Sequence, residues 1–115
     1  MFRTGRAILP VVALCGLLPA VATAAGSAGT QQIANVGIDT GSALTSITGV
    51  AAWSNPDGCA TSAFVVLQVS NPQYRDVLAA VLMASASGKT VNFWVNGCLS
   101  TPWGVAPIVQ SITTF

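Results

Sequence analysis

Arg3 and Arg6 stand ahead of an apolar stretch, residues 7–21, interrupted by Pro10, Gly16 and Pro19, and the small-residue triplet Ala22-Thr23-Ala24 follows it. A short positive segment, an apolar run and a small-residue cleavage site, in that order, are the layout of a secretory signal peptide. The run is too short and too interrupted for a membrane-spanning helix, which needs about 20 apolar residues. Cleavage is expected after Ala24. Cys15 raises a lipoprotein alternative, but Leu14 stands where a lipidation motif requires a small residue, and Cys15 lies inside the apolar run. The expected destination is therefore secreted or periplasmic, with no membrane attachment after cleavage.

Removing residues 1–24 from a chain of 115 leaves 91, enough for one domain with a modest core and too few for two. The charged side chains left in that stretch are Arg75, Lys89, Asp39, Asp57 and Asp76, a formal net charge of −1. Nucleic acid and anionic membranes are recognised by clustered Lys and Arg, so neither is an expected partner. Two cysteines remain, Cys59 and Cys98, and in an oxidising compartment such a pair defaults to a disulfide. Closing a loop of that length would stabilise the fold by about 4 kcal/mol on the chain-entropy account. A metal or redox role for the pair lacks support, because the chain has no His and no Cys-x-x-Cys spacing.

Along the chain, residues 25–30 are small and polar and read as a flexible leader, so the folded domain is expected over 31–115. A first strand is expected over 31–38 and a second over 43–53, ended by the turn signal Ser54-Asn55-Pro56-Asp57-Gly58. Residues 62–70 give the strongest strand signal, being nearly unbroken in β-branched and aromatic residues. Asn71-Pro72 is a helix-start signal, and Tyr74, Leu78, Val81 and Leu82 recur at helical spacing before Gly88 ends the helix. The expected helix covers 72–87. Alternation of Val91, Phe93 and Val95 with Asn92, Trp94 and Asn96 gives a fourth strand stopping at Asn96-Gly97-Cys98. Residues 99–105 read as a loop, and 106–115 as the fifth strand.

Three strands, a helix and two strands is the element order of the OB-fold, a five-stranded Greek-key barrel. The fold class expected is therefore mostly β with one helix, an OB-fold-like small barrel. The stretch Tyr74-Arg75-Asp76-Val77-Leu78-Ala79-Ala80, the helix end Ser87-Gly88-Lys89-Thr90-Val91 and the Cys59 and Cys98 pair resemble a family of small exported bacterial proteins, mostly uncharacterised. The helix-Gly-Lys-strand segment is similar in turn to the B-subunits of subtilase-type and typhoid-type AB5 toxins. The resemblance spans residues 59–115 and its motifs are structural. It implies an OB-like fold and nothing catalytic. B-subunits of that type bind sialylated glycans, but their sugar-binding Ser and surrounding basic residues find no match here, so that function is not transferred to particular positions.

The inventory for catalysis is nearly empty. Hydrolysis needs a base beside a nucleophile or two carboxylates across a bond. Asp39 and Asp57 sit in turn segments, where Asp bonds the local backbone, and Asp76 suits the first turn of the helix dipole. A Ser activated by Lys89 is the one remaining arrangement, against the commoner solvated Lys at a helix exit. Gly88-Lys89-Thr90 mimics the tail of a phosphate-binding loop, but it closes a helix where such a loop opens one, and Met83 replaces the first loop glycine. No enzyme activity, cofactor or metal is expected.

Two surfaces remain. Trp94 lies between Asn92 and Asn96 on the strand face opposite Val91, Phe93 and Val95, and Trp103 in its Pro-Trp-Gly segment could extend the platform. A Trp flanked by amides suits a sugar ring or an oligomer contact, while the plainer reading has either Trp capping the core or covering a barrel end. The helix carries Ala79, Met83 and Ala86 on the side that a monomer would leave wet, where Lys and Glu are usual, which fits packing against another subunit. The expected function is an exported, non-enzymatic binding or assembly module. The alternatives are a glycan-binding, toxin-B-like homo-oligomer and a secreted inhibitor or envelope accessory protein that engages a protein partner.

Overall fold

A computed structural model describes residues 25–115, so the expected signal segment, residues 1–24, and Cys15 lie outside the described residues. Five strands and one helix follow in order: β1 (Gly26–Asp39), β2 (Leu44–Gly49), β3 (Phe64–Gln68), α1 (Tyr74–Ser87), β4 (Thr90–Thr101) and β5 (Gly104–Thr114). The strands close into a barrel in the order β1-β2-β3-β5-β4, and β4 returns to pair with β1. All neighbours are antiparallel except β3 and β5, which meet in parallel at the single pair Val66↔Ile108. The β-β-β-α-β-β order and the OB-like architecture are those read from the sequence.

One long strand serves both sides of the ring. Residues 26–32 of β1 pair with β4, and residues 33–39 pair with β2. The register shifts between Ser27 and Thr30 and again between Ile33 and Asn35, and such bulges bend a strand and increase its twist. Gly29, at φ +92, supplies the backbone conformation that the first bulge needs. Residues 26–30 are therefore strand and not a flexible leader. Ala28 is buried in the core and its carbonyl accepts a hydrogen bond from the Ser54 amide at 2.7 Å, so pairing and burial override the small, polar composition.

The interior is filled by inward residues of every strand: Ala28, Ile47, Val65, Leu67, Val91, Phe93, Val95 and Val109. Val77, Val81 and Ala84 of α1 close one end. The loop joining β2 to β3 adds Trp53 to the same core. The second strand stops at Gly49, not at residue 53, because Trp53 turns inward, 2% exposed, and packs edge-on against Phe93 with ring centroids 5.2 Å apart. The third strand is likewise shorter than expected, 64–68.

The helix starts at Tyr74, two residues later than expected. The Asn71 side chain accepts from the Gln73 amide at 2.8 Å, forming an Asx turn that precedes the helix and does not cap it. Gly88 ends the helix in the left-handed conformation at φ +70, with its N–H on the Ala84 carbonyl. Leu82, expected in the core stripe, is exposed, and Val77 and Ala84 take the buried positions. The buried stripe is Val77-Val81-Ala84, an i, i+4, i+7 set.

The largest departure concerns residues 99–105. They form no loop: β4 continues through Thr101 and β5 begins at Gly104, joined by a two-residue turn at Pro102-Trp103. The expected strand end at Asn96-Gly97 is a bulge, with Val95↔Val109 followed by Cys98↔Pro107 and Gly97 at φ +85. A glycine signal that reads as a stop in the sequence here bends a strand that goes on.

Candidate ligand-binding face

Beyond the bulge, the β4–β5 hairpin becomes an arm that packs on the barrel's outer wall. On β2, Thr45 and Ile47 face inward, so Leu44, Ser46 and Thr48 face outward; on β3, Val65 and Leu67 face inward, so Phe64, Val66 and Gln68 face outward. Leu44 and Val66 are nonetheless buried, in a second small core with Ala106, against which Phe64, Leu99 and Ile108 pack. The arm thus covers the middle of the outer face of β2 and β3. A signal for this lay in the unbroken apolar run Phe64-Val65-Val66-Leu67, since a strand apolar on both faces must be covered on both.

Two hollows flank the arm. One, about 220 Å³, is lined by Ser46, Thr48, Phe64 and Trp103. Trp103, 53% exposed at the arm's tip, stands edge-on to Phe64 with centroids 6.4 Å apart and planes at 83°. Its position is held by Thr101, whose Oγ1 accepts from the Trp103 amide at 3.1 Å and donates to the Gly104 carbonyl at 2.7 Å. The other hollow, about 350 Å³, runs between residues 99–102 of the arm and a wall including Leu44, Gln68 and Ser70. No charged side chain lines either one.

The arm is anchored from the far side by the Cys59–Cys98 disulfide, with Cα atoms 5.6 Å apart. Cys59 is presented by a turn that Asn55 clamps, donating to the Cys59 carbonyl at 2.7 Å and accepting from its amide at 2.8 Å. Asp57 accepts from the Gly97 amide at 2.6 Å, which ties the same turn to the bulge. The staple therefore fixes the point from which the arm departs.

The other sequence-derived candidates fall elsewhere. Trp94 is 47% exposed on the outer face of β4, between its register partners Ser27 on β1 and Ser111 on β5. Asn92 accepts from Ser27 Oγ at 2.9 Å and donates to Thr30 Oγ1 at 3.2 Å, so its amide is occupied in joining β4 to β1. Asn96 is half-buried at the bulge. Trp103 meets Phe64 over β2 and β3, so Trp94 and Trp103 belong to two surfaces and not to one platform. Neither caps the core, a role taken by Trp53. Ala79, Met83 and Ala86 are all exposed on α1, and Leu82 joins them.

Among the described residues no cluster of three His, Cys, Asp or Glu could hold a metal, and no hydrogen bond joins Lys89 to a serine. Ser87 Oγ donates to the Met83 carbonyl within the helix at 2.7 Å. Asp39 accepts from Ser42 Oγ at 2.6 Å and from the Gly41 amide at 3.1 Å, bonds that hold its carboxyl below the usual range. No helix of the described residues is long and apolar enough to cross a membrane. Comparison with known proteins finds no matching family model, curated protein or solved structure.

Proposed function

We propose that this is an exported, non-enzymatic binding module whose ligand face is the outer wall of β2 and β3 beside the arm. The observation behind it is the Trp103 and Phe64 pair standing over the hydroxyls of Ser46 and Thr48 in one uncharged hollow. An exposed indole offers a flat apolar surface to the C–H face of a sugar, and hydroxyls answer its oxygens. On OB-folds, the face of the second and third strands and the loop between the fourth and fifth are the customary place for oligosaccharides and oligonucleotides. The absence of any charged group lining the hollow favours the neutral ligand. Resemblance to toxin B-subunits supports the same glycan class.

A glycan array probed with the refolded, disulfide-intact domain tests this. Binding to a defined set of glycans, lost in Trp103→Ala and kept in Trp94→Ala, is the expected result. No glycan binding, or binding indifferent to Trp103, overturns the reading.

A second reading, assembly into a homo-oligomer, is favoured by one further observation: Leu82 and Met83 are about half exposed on a helix face completed by Ala79 and Ala86. Secretion or periplasmic residence is supported by the disulfide and by the signal layout of residues 1–24. Intact mass of the exported protein is expected to begin at Ala25 with no alkylatable thiol.

A further inference from the structure

We infer that the arm is also a strand-addition site, which takes an extended, uncharged segment of a protein partner along the outer edge of β4. With a two-residue turn, Thr101 and Gly104 form the last hydrogen-bonded pair of the hairpin, and bonded and non-bonded pairs alternate from there. Leu99↔Ala106 is then a bonded pair, whereas Ser100↔Val105 and Cys98↔Pro107 are not. Two facts fit this phase. Pro107 has no N–H to give, and the Val105 carbonyl points away from β4 to accept from the Thr61 amide at 2.8 Å.

It follows that the N–H and C=O groups of Cys98 and Ser100 point away from β5. Among the described residues, β1 on that side pairs with β4 no further than Gly26↔Val95. Among the described residues nothing hydrogen-bonds to the main chain of Cys98 or Ser100 on this edge. The 350 Å³ hollow lies along it, lined by residues 99–101 of β4 and Pro102 of the turn and by none of β5. Strand edges are usually protected by charged side chains, and residues 98–101 carry none. The bulge at Gly97 and the turn at Pro102 bound the free edge, so the partner contributes a strand of about five residues. Its chemistry follows from the opposite wall, where Leu44, Gln68 and Ser70 offer apolar and neutral polar contacts and no counter-ion for a charge.

The test is selection of a phage-displayed library of random octapeptides on the disulfide-intact domain, followed by binding of the enriched peptides to variants. Ser100→Pro deletes an outward N–H that the hairpin does not use, so the fold should persist; Leu99→Pro removes a ladder bond and should lower the melting temperature markedly. Enriched peptides are expected to be uncharged and rich in β-branched residues, to bind Ser100→Pro about tenfold more weakly than wild type, and to bind Trp103→Ala unchanged. Amide exchange at Cys98 and Ser100, fast in the free domain, should slow on peptide addition. Failure to enrich any peptide, equal binding to Ser100→Pro, or unfolding by Ser100→Pro as severe as by Leu99→Pro overturns the inference. Self-association of the wild type that Ser100→Pro abolishes would replace the partner with a second copy and overturn it too. Dependence on Trp103 separates this site from the glycan reading, since each variant touches only one of them.

Discussion

The indole N–H of Trp53 donates to the main-chain carbonyl of Ile47, 3.2 Å away, while its ring meets Phe93 edge-on inside the barrel. A loop residue thereby completes the core and adds a hydrogen bond to a carbonyl of β2. Trp53→Ala is expected to cost about 3–5 kcal/mol, through lost burial and the cavity left beside Phe93. Trp53→Phe keeps much of the packing but loses the indole hydrogen bond, and should cost about 0.5–1.5 kcal/mol. Chemical denaturation of both variants measures the difference; equal, small losses would show that the loop does not plug the barrel.

Cys59→Ala and Cys98→Ala are each expected to cost about 2–4 kcal/mol and to reduce the yield of folded protein, with the double variant no worse than either single one. The reason is that one bond closes a loop with a sequence separation of 39, and losing either partner removes it entirely. Denaturation with and without reductant checks it. Because the turn bearing Cys59 also holds the bulge through Asp57, reduction should loosen the arm before the barrel, seen as faster amide exchange at Leu99 and Ala106 than at Phe93.

The barrel was legible because its strands announce themselves by alternation, and Phe93 flanked by Val91 and Val95 is the clearest instance. What escaped was set by pairing over distance. Nothing local in Ala25-Gly26-Ser27-Ala28-Gly29-Thr30 marks a strand; only the partner residues Val91–Val95 make it one. Gly97 shows the converse. Its sequence context reads as a terminus, yet the same left-handed glycine that ends helices also seats a bulge, and only the continuation of pairing at Cys98↔Pro107 tells them apart. The site followed the same rule: Trp103 was visible, but Ser46, Thr48 and Phe64 join it only because the arm folds over β2 and β3.

Asp39 gives a pH dependence of known sign. Bonds from Ser42 and Gly41 hold its carboxyl below the ordinary value of 3.8. A depressed folded pKa contributes stability that is present above the unfolded value and is lost as pH falls through the folded one. The wild type should therefore lose this contribution on acidification below 3.8, and Asp39→Asn should flatten the profile there. Carboxyl carbon shifts in an NMR titration should place the Asp39 midpoint below the ordinary range and return it upward in Ser42→Ala. An Asp39 midpoint at or above the ordinary value would contradict the bonding seen in the turn.

Assembly through α1 is the remaining expectation. Met83 is 51% exposed and Leu82 44% exposed, on a helix whose charges, Arg75 and Asp76, are confined to its first turn. Such a surface loses free energy in water, and a symmetric contact would bury it against its own copy. Light scattering coupled to size exclusion should then give a multiple of the mass of residues 25–115 at tens of micromolar. Met83→Glu sets like charges against each other across a symmetric contact and should shift the protein toward monomer. Ala79→Ser, which adds only a small hydroxyl, should leave the mass unchanged. Circular dichroism must show Met83→Glu still folded, and as an exposed position it is expected to be. A monomeric wild type, or an oligomer indifferent to Met83→Glu, would remove α1 as the contact and leave the apolar face as tolerated exposure, because the buried stripe Val77, Val81 and Ala84 already accounts for the helix's place in the fold.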